Sequence, residues 1–213
     1  LNCVANGKIL KEKIFENIWV QPAAGDAGGA IGAALALWHV HKGNPRTVNI
    51  HDDMSGSYLG PEYSDIEIEK ELNRLGANFK KLNEIEIINK ASIDLSNGEV
   101  IGWFQGRMEF GPRALGARSI LGDPRSADMQ KNLNLKIKFR ESFRPFAPSI
   151  LSEELSNWFD TTVRSPYMSI VSEVKKEKCF TNNCNASIRW IYYVRRRCNL
   201  FVRSITICWH GKI

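Results

Sequence analysis

Cysteine is nearly absent from the first 178 residues of this 213-residue chain: Cys3 stands alone there, and the other four lie in residues 179–213. A body with one thiol excludes a disulfide framework and points to a reducing cytosol, with Cys3 as packing. Long apolar runs are missing too. No stretch approaches the roughly 18 to 20 continuous apolar residues needed to cross a membrane, so no membrane partner is expected. The opening LNCVANGKILKEKIFENI lacks the basic end, apolar middle and small-residue cleavage site of a secretory signal. The chain begins with Leu1 rather than Met and reads as a piece of something longer.

The third absence is acid, and it is local. The formal charge is +6, which invites a nucleic-acid reading. Residues 179–213, however, carry six Lys or Arg (Arg189, Arg195, Arg196, Arg197, Arg203, Lys212) and no Asp or Glu. Without them the body of residues 1–178 holds 23 bases against 23 acids, and a neutral body excludes a general nucleic-acid binder. The tail also lacks paired CxxC spacing for zinc and any clear helical or strand period. It reads as an out-of-frame or otherwise non-native extension.

The body divides into blocks of helix and strand. Residues 1–42 read as a helix, a short strand over NIWVQP, a Gly/Ala turn, and a helix of very small residues ending near Gly43. A connector rich in Pro, Gly and Asp follows, NPRTVNIHDDMSGSYLGPEYSD, which suits a domain boundary. Ser64 is placed to cap a helix with Ile66, Leu72 and Leu75 on one face. NFKKL suggests a short strand, NEIEIINKASIDLSNG a helix stopped by Asn97-Gly98, and EVIGWFQG a strand. Residues 126–160 then read as helix, basic segment, strand, helix. The alternation predicts an α/β or mixed α+β fold.

Chemistry concentrates in two places. In GRMEFGPRALGARSILGDPR, Arg107, Arg113, Arg118 and Arg125 recur beside turn residues, and Lys136, Lys138, Arg140 and Arg144 follow. Arg113 comes after Gly111-Pro112, and Arg144 precedes Pro145, so both sit on restricted backbone. Guanidinium groups on stiff backbone suit phosphate or carboxylate. A solvated basic surface, balanced by Glu109, Asp123 and Glu141, fits the same spacing. The second place is Asp26 in QPAAGDAGGAIGAAL, which suits a helix N-cap, a metal ligand, or a group near nucleotide phosphates. His39 and His41, two apart, point to different helix faces and read as helix-end cations or packing residues, and His51-Asp52-Asp53 reads as solvated loop.

Together LNCVANGKIL, WVQPAAGDAGGAIGAAL, GWFQGRMEFGPRALGARSILGDPR and IKFRESFRPFAPSIL resemble the O-carbamoyltransferases of the NodU/CmcH type, from Leu1 to about Glu177. The resemblance implies that residues 1–42 are the closing part of an actin-like (ASKHA) domain and that residues 43–178 are most of a YrdC-like domain. It implies a two-stage reaction using carbamoyl phosphate, ATP with Mg2+, and a hydroxyl-bearing acceptor. Carbamoyl-adenylate forms in the YrdC-like domain. The actin-like domain, with Fe2+ or a similar divalent metal, passes the carbamoyl group on.

By the same resemblance Arg113 of GPRALG, Lys138 of IKFRE and Arg144 of FRPF are the carbamoyl-phosphate cations, with Lys138 and Arg144 catalytic and Arg118 and Ser119 as further contacts. Asp26 of GDAGG matches a metal ligand, with Gly25, Gly28 and Gly29 near the nucleotide. The chain departs from the family in lacking its early histidine metal motif and its later NTSFN-like segment, so it is expected not to complete transfer unaided. Other YrdC-like carbamoyl-adenylate makers and a YrdC-like RNA-binding module are the alternatives. The GPRALG context disfavours the first, and the neutral body disfavours the second. The sequence does not specify the acceptor or the oligomeric state.

Overall fold

The computed structural model describes residues 2–126 and 128–178, and the backbone of residues 193–195. The readings made for the rest of 179–213, its cysteines included, lie outside the described residues. Helix α1 (Cys3–Glu12) starts where Asn2 accepts the Ala5 N–H at 3.0 Å, and it stops at Lys13, whose φ of 52° is left-handed. The strand expected over NIWVQP does not form. A strand needs a neighbour for its N–H and C=O groups, and among the described residues Ile18 to Val20 have no such partner.

Helix α2 (Asp26–Leu35) follows Gly25, runs on as a π-turn through Ala36–His41, and ends by Gly43 at φ 65°, as the small-residue run predicts. His39 sits at this helix end, its Nδ1 3.0 Å from the Asn44 carbonyl oxygen. Helices α3 (Asp65–Arg74) and α4 (Glu84–Ser96) each open on a capping box, Ser64 with Glu67 and Asn83 with Glu86. Glycine in the left-handed region closes both, Gly76 and Gly98. Of the apolar face read on α3 only Leu72 is half-buried; Ile66 is 79% exposed and Leu75 62%. Between these helices NFKKL forms no strand, again for want of a partner among the described residues.

Strands β1 (Ile101–Phe104) and β2 (Arg118–Leu121) pair antiparallel, Ile101 opposite Leu121 and Phe104 opposite Arg118. Leu95 of α4 packs with Leu121 on this ribbon, flanked by Ile88, Ile101 and Trp103. The turn between β1 and β2 carries the arginine-rich segment, so the ribbon is the base on which it stands. Helix α5 (Met129–Asn132) runs into a π-turn over Leu133–Ile137 and buries Met129 and Leu133.

Strand β3 (Ser149–Leu151) lies parallel to β4 (Tyr193–Arg195), and helix α6 (Leu155–Trp158) follows. Ile150, Leu155 and Phe159 form the second apolar cluster. The whole is mixed helix and small sheets, an α/β protein. Among the described residues no helix is long and apolar enough to cross a membrane.

Helix α1 is not a loose end. Asn6 Nδ2 donates to the Ser169 carbonyl at 2.9 Å, and a Cβ added at Gly7 would lie 2.5 Å from the Val171 carbonyl oxygen. Helix propensity alone would have Gly→Ala stabilise by up to about 1 kcal/mol. At Gly7 the backbone contact should outweigh this, with an overpacking cost of about 1–3 kcal/mol. Urea unfolding of Gly7→Ala is therefore expected to show a net loss of stability. Gly29→Ala, where nothing lies within 4 Å, should show a gain.

Candidate functional site

The arginine-rich turn is organised by one buried acid. Glu109 is 4% exposed, and its Oε1 accepts the N–H groups of Leu115 at 2.7 Å, Ala117 at 2.8 Å and Arg118 at 3.3 Å. Its Oε2 takes Arg118 Nε at 2.9 Å, while Arg118 Nη2 donates to the carbonyls of Glu109 and Gly111, both at 3.2 Å. Burial on its own would raise the Glu109 pKa. The bonds from Arg118 and from the Leu115 and Ala117 amides outweigh it and hold the carboxyl below its usual range. A carboxylate thus replaces a strand ladder in closing residues 109–118 into a fixed turn.

Most of the cations noted in the sequence are engaged by neighbours. Arg125 Nε lies 2.9 Å from Asp123, which is buried. Arg144 Nε lies 2.7 Å from Glu141, and the pairing holds the Glu141 carboxyl low. Arg107 donates to the Gly60 carbonyl at 2.8 Å and reaches Glu62 at 3.5 Å. The acids Glu109, Asp123 and Glu141 are therefore counter-ions to Arg118, Arg125 and Arg144 respectively. Arg113 differs: its side chain is exposed and has no ion pair or hydrogen bond among the described residues.

Arg113 lines a cleft of about 520 Å³ together with Gly111, Pro112, Cys3, Gln21 to Ala27, and Tyr167 to Ser169. The structure thus brings Arg113 into the same cleft as Asp26 and Gly25. Asp26 is the first residue of α2, after Gly25 at the cap, and no capping bond involves its side chain. The two walls meet at Gly111, whose φ is 96° and where a Cβ would lie 2.7 Å from Ala23 Cβ. Both facts require glycine there. Gly28 is used in packing, since a Cβ would lie 2.7 Å from the Ala23 carbonyl oxygen, whereas Gly25 and Gly29 border open space.

Lys138 and Arg144 do not line this cleft. They sit on the loop after the π-turn, Lys138 exposed and without a side-chain partner among the described residues. Ser119 lies in β2 opposite Trp103, and Arg118 is committed to Glu109.

Sequence reasoning missed Tyr167, whose hydroxyl donates to the Asp52 carboxylate and accepts the Gly56 N–H at 3.1 Å. Burial, then the Asp52 carboxylate, pushes its phenol well above the ordinary range. Asp52, read as solvated loop, also accepts the Met54 N–H at 3.0 Å. It steadies a segment in which Ser55, Gly56 and Ser57 all have positive φ. Buried Ser57 in turn accepts the Phe110 N–H at 2.6 Å beside Glu109. Only the Gly-Ser composition of MSGS hints at this in the sequence.

These features define a mixed α/β protein with a cleft assembled from two distant parts of the chain, lined by an exposed arginine. Comparison with known proteins gives the family. The model for the carbamoyltransferase N-terminus matches residues 1–35, and that for the carbamoyltransferase C-terminus matches residues 92–199, past residue 178 into the basic tail. The chain belongs to the carbamoyltransferase family.

Among its relatives are an uncharacterized protein of Synechocystis, 56% identical over 83% of this chain and 29% of that protein, and the nodulation protein NolO of Bradyrhizobium diazoefficiens, 44% identical over 83% and 32%. A 3'-hydroxymethylcephem-O-carbamoyltransferase of Streptomyces clavuligerus is 31% identical over 83% and 31%. The chain thus spans less than a third of each relative's length. Asp26 falls in the N-terminal match and Arg113 in the C-terminal one, so the cleft joins the two.

Because the Glu109 pKa is lowered in the folded state, its contribution to stability is full above the usual carboxylate range and is lost as pH falls through the folded value. Glu109→Ala, which strands Arg118 and three amides, should cost about 3 kcal/mol at neutral pH. Glu109→Gln should cost less and flatten the acid limb of a stability-versus-pH curve. An unchanged acid limb would refute the role of the charge.

Proposed function

We propose that this chain is part of an ATP-dependent O-carbamoyltransferase, and that its cations handle carbamoyl phosphate. The observation that carries this reading is the unpaired Arg113, held on Gly111-Pro112 in a cleft while the neighbouring arginines are neutralised by Glu109, Asp123, Glu141 and Glu62. A guanidinium with no partner of its own keeps its full charge for a ligand. Carbamoyl phosphate is a small dianion, suited to a fork of donors on fixed backbone.

In this reading residues 1–42 belong to an actin-like domain and residues 43–178 to a YrdC-like one. Water hydrolyses carbamoyl phosphate: its oxygen bonds to the substrate, the C–O–P linkage breaks, and carbamate and inorganic phosphate result. A carbamate oxygen then attacks the α-phosphorus of ATP, a P–O bond forms, the bond to the β-phosphate breaks, and pyrophosphate leaves. Negative charge grows on the departing group, so Arg113, Lys138 and Arg144 assist most in the transition state. The carbamoyl group of the adenylate then passes to a hydroxyl of a small acceptor, releasing AMP. The name of the Streptomyces relative supplies one example of such an acceptor. Gly25 and Gly29, open on their Cβ side, leave room for a nucleotide at the start of α2.

Metal chemistry does not follow from the residues here. Among the described residues, Asp26 and Cys3 are the only His, Cys, Asp or Glu residues lining the cleft, and no group of three such side chains could hold a metal ion. Any iron-type ion bound by Asp26 would draw its other ligands from elsewhere.

Arg113→Ala should weaken carbamoyl phosphate binding by about tenfold or more, the scale of a charge-assisted hydrogen bond. Isothermal titration of the chain measures it, with Arg107→Ala as the control expected to bind normally. Unchanged affinity in Arg113→Ala would sink the assignment.

A further inference from the structure

We propose that Asn134 is the positioning residue for the second cation loop, a role that rests on the reading of Lys138 and Arg144 as carbamoyl-phosphate cations. Asn134 lies in the π-turn after α5 and is fully buried, at 0% exposure. Its Nδ2 donates to the carbonyls of Ser142 at 3.1 Å and Arg144 at 2.7 Å, and its Oδ1 accepts Arg140 Nε at 2.6 Å. Its own backbone carbonyl accepts the Arg140 N–H at 2.8 Å. The amide orientation follows from these partners, since carbonyls need a donor and a guanidinium needs an acceptor.

One side chain therefore gathers three points of the loop: Arg140, Ser142 and Arg144. Gln130 on α5 adds bonds from its Nε2 to the carbonyls of Phe143 at 3.0 Å and Arg144 at 3.1 Å. The Arg144 carbonyl is thus held twice, while its guanidinium stays at the surface on Glu141. An exposed pair of that kind is weak, so a dianion can displace Glu141 without disturbing the backbone beneath. Packing Arg140 over the Phe146 ring, 4.8 Å to its centroid, closes the loop's far side. A buried polar side chain spent wholly on loop backbone and Arg140 does nothing for an apolar core, and its effect is to fix where Arg144 stands.

The test uses the whole chain and carbamoyl phosphate as the probe, read by titration and by amide hydrogen exchange over residues 136–146. Asn134→Asp keeps the acceptor for Arg140 but turns a carboxylate toward two carbonyls. It should speed exchange in 136–146, leave residues 101–121 unchanged, and weaken binding by about tenfold. In that background Arg144→Ala should add little, whereas Arg113→Ala should retain its full effect. Gln130→Ala, at a less buried position, should give a smaller loss in the same direction if Asn134→Asp does not fold. Normal affinity in both variants, with Arg144→Ala alone still defective, would overturn the positioning role and leave the anion site standing. Normal affinity in Arg144→Ala alone would overturn Arg144 as an anion contact and the positioning role with it, while the Arg113 cleft stands or falls by Arg113→Ala.

Discussion

A carboxylate taken out of water must be compensated by donors on every side, and Glu109 is compensated by the chain segment that follows it. The amides of Leu115, Ala117 and Arg118 and the guanidinium of Arg118 all converge on one side chain. The turn between β1 and β2 is closed by this convergence, which leaves Arg113 at its tip. With the carboxylate gone, Arg118 becomes a free cation, the turn loses its closure, and the cleft wall built on Gly111 loses its place. Charge neutralisation and charge display are thus one construction: the paired arginine locates the unpaired one.

The same logic recurs on the other cation loop in neutral form. There an amide replaces the carboxylate, and Asn134 ties Arg140, Ser142 and the Arg144 backbone together. In both loops a single buried polar side chain, fully bonded, fixes irregular backbone that carries exposed cations. Irregular backbone needs such a device because it has no ladder of its own to satisfy its N–H and C=O groups. The cleft also ties the family's two matched regions together, since Asp26 and Arg113 face it from residues 1–35 and 92–199.

Elements whose signals are local could be read from the sequence. Ser64 with Glu67, Asn83 with Glu86, and Gly98 after Asn97 each specify a helix end within four residues: α3 and α4 begin at the first two and α4 ends at the third. The strands over NIWVQP and NFKKL were not legible in the same way, because β propensity yields a strand only where a partner lies alongside. In the candidate site, the cations and their balancing acids were visible, but not which arginine of the β1–β2 turn was left without a partner among the described residues. That depends on the chain folding back nine residues to bring Arg118 onto Glu109. Asn134 gave no signal at all, since the second Asn of NLNLKIK looks like any solvated position until its burial is known. Tyr167 and Asp52, 115 residues apart, were likewise beyond any local pattern.

The central claim is that Arg113, and not Arg118 or Arg125, meets the anion. The most direct measurement is an NMR titration of the arginine Nε–H signals with carbamoyl phosphate, assigned by single Arg→Lys substitutions. The account predicts a saturable shift of the Arg113 signal, with Arg118 and Arg125 unmoved on Glu109 and Asp123. A shift of Arg118 or Arg125 with Arg113 silent would contradict it.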